Sequence, residues 1–180
     1  MKKIYASLAA LLLTIGIAGC DVTINPTPDP KPPATATDSK NGQSEKEVNV
    51  VIYRSTADSL SLTPVSTKIK TKDPLPKAAL SATIADNQQQ KYPVFPKGLS
   101  VNSVEVKDGT ATVDFSKELA NIEKGTTTEE LFTAMTVDTL TEFPEIKEVR
   151  FLMEGKQISH LSGHSDMTRT FKRNESIIKK

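Results

Sequence analysis

Two histidines, His160 and His164, lie late in the chain among Ser159, Ser162, Ser165 and Asp166, its densest group of reactive side chains. Imidazoles four residues apart share one face of a helix, the spacing of a zinc-binding pair. Here Gly163 falls inside the spacing, the surrounding residues predict a loop, and Asp166 is the one further ligand type close by. Serine, histidine and aspartate are also the parts of a nucleophilic triad. No nucleophile elbow or glycine-rich oxyanion loop accompanies them. The bland expectation is that these groups hydrogen-bond the tail to the body of the fold. Asp114, Glu118 and Glu123 have no spacing that suggests paired glycosidase carboxylates, and no phosphate-binding glycine loop appears. No catalytic residue, metal site or cofactor is expected.

Cys20, the single cysteine, carries a different chemistry. Lys2 and Lys3 precede a mostly apolar run from Ile4 to Ala18, the pattern of a secretory leader and marginal for a permanent membrane span. The run ends Ile17-Ala18-Gly19-Cys20, small residues before a cysteine, which resembles the bacterial lipobox. Cleavage there, after the thiol has been joined to diacylglycerol, leaves Cys20 as a lipid anchor, and two acyl chains hold a protein stably where one is marginal. In a diderm host, Asp21 next to the acylated cysteine resembles an inner-membrane retention signal. A lone cysteine rules out an intramolecular disulfide and a cysteine-based zinc cluster.

Residues 1–19 therefore read as a leader and 20–46 as a tether. Pro26, Pro28, Pro30, Pro32 and Pro33 lie in the tether among threonines, aspartates and lysines, and apolar periodicity is missing after Ile24. Such a segment cannot bury enough surface to offset its ordering entropy. It spans about 80 Å as polyproline II or about 28 Å as a flexible coil, lifting the domain off the membrane either way. The whole chain carries a net charge of +1. Loss of Lys2 and Lys3 leaves 21 basic against 22 acidic side chains, or −1. A nucleic-acid partner needs a concentrated basic face, so none is expected.

The elements that position these residues follow from periodicity. Val48, Val50 and Ile52 alternate as a first strand, and Leu60, Leu62 and then Val65 to Ile69 form a second, with Pro64 directing it to a sheet edge or bulge. Asp73-Pro74 reads as an N-cap with proline at the first helical position, opening a helix over Lys77 to Ala85. Val104 and Val106, then Ala111, Val113 and Phe115, flank Asp108-Gly109, a pair suited to the positive φ angles of a two-residue hairpin turn. Thr126 with Glu129 and Thr127 with Glu130 form overlapping capping boxes for a second helix, which stops before Pro144 and has Leu131, Phe132, Met135, Leu140 and Phe143 on one half of its surface. Val149, Phe151 and Met153 alternate as a last strand. The expected fold is α+β, a small mixed or mostly antiparallel sheet with two helices in the order β-β-α-β-β-α-β, over residues 47–174, with 175–180 as a tail.

The stretches V-V-I-Y, L-T-P-V, F-P-K-G-L-S-V-N-S-V-E-V-K-D-G-T-A-T-V-D-F-S-K-E-L and E-E-L-F-T-A-M-T-V-D-T-L-T-E-F-P-E-I-K-E-V-R-F-L-M-E-G-K, followed by G-H-S-D-M-T and Arg173-Asn174, resemble a GerMN domain, the module of sporulation and spore-germination proteins. The sequence departs from the family after the first helix, where Asp86 to Gln90 replaces the usual Gly-Pro turn. The resemblance implies an extracytoplasmic, often lipid-anchored envelope protein without enzyme activity, and it marks Asp108, Gly109, Gly163, His164, Asp166, Arg173 and Asn174 as signature or binding positions. The first functional expectation is a binding or assembly module on the outer side of the cell membrane, acting through envelope proteins, with homo-oligomerisation as one mode. The alternative is a cell-wall ligand-binding lipoprotein using the Tyr92 to Phe95 loop, whose aromatics otherwise just cover one end of the core. An envelope hydrolase using His164 and Asp166 ranks third.

Overall fold

The computed structural model describes residues 45–161, 163 and 165–179. The leader, Cys20, the tether up to residue 44, Ser162 and His164 lie outside the described residues. β1 (Lys46–Ser55) and β2 (Leu62–Thr71) pair antiparallel as a separate two-stranded sheet, with Tyr53 opposite Pro64. Both strands have an outer edge, which is where a residue without an N–H is tolerated. α1 (Leu75–Asn87) packs on β1. Val50 and Ile52 meet Ala79 there, and Val48, Val65, Ile69 and Ala82 border the cluster.

Asp73 is not the N-cap of α1. Pro74 occupies that position without a side-chain cap, and its carbonyl accepts from Ala78 N at 3.0 Å. The Asp73 carboxylate faces Lys77 Nζ at 3.4 Å. At the other end Asn87 is fully buried, and its Oδ1 accepts from the backbone N–H groups of Val94 and Phe95 at 2.8 and 2.9 Å. That one amide shapes the segment in place of a Gly-Pro turn. The aromatic loop divides accordingly: Phe95 is buried, and Tyr92 is 65% exposed with Lys91 Nζ 5.1 Å from its ring centre.

β3 (Val101–Lys107) and β4 (Thr110–Phe115) form the expected hairpin, with a register shift between Val101 and Ser103. Asp108 and Gly109 both have positive φ, at 50° and 83°. Alternation holds in β4, where Ala111, Val113 and Phe115 are fully buried. It fades in β3, where Val104 is half-buried and Val106 is 40% exposed. β3 is the edge of a sheet ordered β3-β4-β5-β6, so its outer end has no further strand beside it. β5 (Glu148–Met153) lies parallel to β4, and β6 (Lys156–Gln157) is a short antiparallel addition. A parallel neighbour cannot be reached by a tight turn. α2 (Thr126–Leu140) makes the crossover.

α2 differs from its sequence expectation in two ways. Neither capping box forms; Gly125 is the N-cap and no side chain caps the end. The helix is also not apolar on one half only: Leu131, Phe132 and every residue from Ala134 to Leu140 are buried. It touches β1, α1 and β5, so little of its surface is left for water. Its Phe132 ring lies 5.4 Å from Phe95, 5.5 Å from Phe115 and 5.9 Å from Phe151, and Phe151 lies 5.3 Å from Phe171. Edge-on and tilted ring pairs of this kind add attraction beyond area burial.

At Gly109 an added Cβ would lie 3.4 Å from the Lys147 side chain as well as in a left-handed conformation. Gly109→Ala is expected to lower stability by roughly 1–2 kcal/mol in urea unfolding, with Asp108→Gly close to neutral; equal effects would show that the turn does not set the hairpin.

Candidate functional site

The tail after β6 is fastened along α2 at both ends. At the first turn the buried Glu129 carboxylate accepts from Ser165 N at 2.8 Å, which is the contact that draws it away from a capping box. A carboxylate near a helix N-terminus also favours the helix dipole. At the far end Arg173 Nη1 donates to the Asp138 carbonyl at 3.0 Å and approaches Thr141 Oγ1 at 3.4 Å. Asp138 belongs to the last turn, whose carbonyls have no partner within the helix. A cation placed there satisfies one carbonyl and complements the dipole.

The same guanidinium joins three elements. Arg173 Nη2 donates to Tyr53 Oη at 2.6 Å, Tyr53 Oη donates to Glu142 Oε1 at 2.6 Å, and Arg173 Nη1 lies 3.0 Å from Glu142 Oε1. Glu175 pairs with Arg173 Nε. Burial first, then the hydrogen bond to Glu142, hold the Tyr53 phenol well above its ordinary range. Burial would lower the Arg173 pKa, but bonds to Glu175 and Tyr53 more than offset it. This tyrosine is a structural tie and keeps its proton.

Asp138 sits beside them, buried, with Oδ1 accepting from Asn174 N at 3.2 Å and Oδ2 without a hydrogen-bond partner among the described residues. Burial pushes its carboxyl up from 3.8 to about 6, against the lowering effects of the Asn174 N–H and Arg173.

Between the two fastenings lies an open groove of about 840 Å³. Glu130, Thr133, Ala134 and Val137 of α2 form one wall and residues 169–174 the other, with Ser176 and Ile177 beyond. Leu60, 71% exposed in the β1–β2 turn, stands at its margin.

Arg173 and Asn174 thus belong to one cluster. Asp108 and Gly109 are in the hairpin turn. Gly163, at φ 108°, is in the loop where the backbones of His160 and Asp166 bridge. The Asp166 carboxylate accepts from Thr168 N at 2.9 Å and Thr168 Oγ1 at 2.6 Å, and these bonds hold its pKa down. Asp114 is equally engaged, accepting from Asn102 Nδ2 and Gly155 N. Among the described residues no three His, Cys, Asp or Glu side chains are grouped to hold a metal ion. Sequence reading missed Tyr53, Glu129, Asp138 and Glu142. The signal was present in Glu129 and Asp138, carboxylates set among apolar positions of one helix.

The family model for Germane, "Sporulation and spore germination", matches residues 38–159. The chain belongs to the Germane family. The match stops at Ser159, before the tail and before Arg173-Asn174. Two solved structures agree on the fold. The tandem GerMN domains of the sporulation protein GerM from Bacillus subtilis overlay with a TM-score of 0.59 at 21% identity, covering 71% of this chain. The chain spans 46% of that tandem structure, somewhat less than half. The first GerMN domain of the same protein overlays with a TM-score of 0.52 at 21% identity, covering 71% of this chain and 98% of that one. No curated protein matches.

For the Germane domain, the raised Asp138 pKa has a defined consequence for stability. Its folded value lies above its unfolded one, so the native state binds more protons between them; stability from this site is full below about pH 4, falls as pH rises to about 6, and stays low above. Asp138→Asn, a neutral mimic, is expected to raise the melting temperature by a few degrees at about pH 8 and to match the parent near pH 4. Destabilisation at the higher pH would remove Asp138 from this role.

Proposed function

We propose that this protein is a lipid-anchored, extracytoplasmic binding or assembly module of the bacterial envelope, held to the membrane through Cys20 and acting through protein contacts rather than catalysis. The groove between α2 and the tail is the observation that carries this reading. Its surroundings use their polar groups as ties: Arg173, Tyr53 and Glu142 each spend their hydrogen bonds on neighbouring elements, and Asp166 spends its own within its loop, on Thr168. What stays open is a surface, which suits a partner better than a reaction. Membership of a sporulation and spore-germination family supports a role at the cell envelope, and the leader, lipobox and proline-rich tether supply the means of attachment.

Fractionation of the host tests the anchoring. The parent chain is expected in the membrane pellet and Cys20→Ala in the soluble extracytoplasmic fraction; a variant that stays in the pellet after a high-salt wash would refute the lipid anchor.

A second reading, a cell-wall ligand site, rests on the exposed Tyr92 beside Lys91. On that reading the domain sediments with purified peptidoglycan at low salt and Tyr92→Ala loses most of the bound fraction. If the variant sediments as well as the parent, the loop plays no such part.

A further inference from the structure

Phe171 N and O bond to Val149 O and N, each at 2.8 Å, so this piece of the tail lies along β5 as a single antiparallel bridge. In such pairing the peptide groups of the flanking residues point to the opposite side. Those residues are Thr170 and Lys172, both in the groove wall. Their backbone N–H and C=O groups form no hydrogen bond among the described residues. The groove is therefore bounded on the tail side by a short, unpaired strand edge and on the other by α2. Exposed strand edges are templates for further pairing.

Charge adds a preference to this template. Arg169 and Lys172 form no ion pair with a carboxylate among the described residues, Asp166 interacting with Arg169 only at longer range, whereas Arg173 is already compensated by Glu142 and Glu175. Arg169 stacks its guanidinium 4.3 Å from the Phe171 ring centre, which holds it over the same segment. Against these cations stands Glu130 on the α2 wall; Glu129 is engaged by the Ser165 N–H. Exposed Leu60 and half-buried Ile177 give the groove apolar surface, with buried Ala134, Val137 and Phe171 beneath it.

We infer that the groove binds an extended acidic peptide segment of a partner protein, which adds as a strand to Thr170–Lys172 and sets its carboxylates against Arg169 and Lys172. Free backbone donors and acceptors at strand spacing recognise another main chain, while a phosphate polymer could use the cations but not the edge. The inference rests on the protein-binding reading above and names the class of partner.

The test uses the full chain in detergent micelles and a fluorescein-labelled peptide of alternating glutamate and valine. Fluorescence anisotropy is expected to show saturable binding, weakened about tenfold or more by Arg169→Glu with Lys172→Glu and by N-methylation of the peptide backbone, and strengthened by Glu130→Gln. Urea unfolding of each variant confirms that the fold is intact. Equal binding of the N-methylated peptide overturns strand addition, and so does poly(glycerol phosphate) binding in preference to the peptide. Absence of saturable binding overturns the site. That failure leaves the anchoring reading standing if Cys20 still directs the chain to membranes, so the two are separable.

Discussion

A helix buried on nearly every side imposes the constraint from which the rest of this fold follows. α2 carries Glu129, Thr136, Asp138 and Thr139 into the interior along with its apolar residues. Each polar group taken from water must find a partner or cost free energy. Thr139 Oγ1 meets Thr83 Oγ1 at 3.1 Å, and Thr83 Oγ1 also lies 3.1 Å from the Ala79 carbonyl, so α1 serves one side. Glu129 and the final carbonyls are served from the tail, by Ser165 and Arg173. The last part of the chain therefore completes the interior.

The phenylalanine series explains how the tail is held between those polar ends. Rings from the loop after α1, from β4, α2 and β5, and from the tail touch in succession, and Phe171 closes the series against Phe151. Phe171 also makes its main-chain bridge to Val149, which fixes the segment by backbone and side chain together. Beyond it, Leu62 pairs with Ile178, and Lys179 N donates to the Leu62 carbonyl at 2.7 Å. The chain thus returns to the small sheet with which its described part begins.

Period-two alternation and the Asp-Gly pair made the hairpin and the element order legible, because both are local properties of a backbone that folds as its neighbours dictate. The capping boxes misled for the opposite reason. Thr126-x-x-Glu129 has the right spacing, but Glu129 faces the interior, where a residue 36 positions away claims it. Asp73 failed as a cap because Pro74 itself already occupied the position. Spacing within one element could not reveal the Tyr53–Glu142–Arg173 cluster, whose members come from β1, the turn after α2 and the tail. The buried face of α2 was hidden in a similar way: Thr136, Asp138 and Thr139 look like a solvent face until α1 and the tail cover them.

Covering α2 with an extended segment also explains why a groove exists. A strand fastened to a helix at two points, through Glu129 and through Arg173, cannot follow the helix surface between them while Phe171 is committed to β5. It stands away from α2 there and leaves one edge of its backbone without partners. The residues matched by the Germane family model end at Ser159 and supply the helix wall; the other wall comes from residues after it. The groove thus draws on both parts of the chain, the matched scaffold and the segment that follows it. Within that second wall Arg169 and Lys172 are exposed while Phe171 is buried among the phenylalanines, so one short segment serves both the groove and the core.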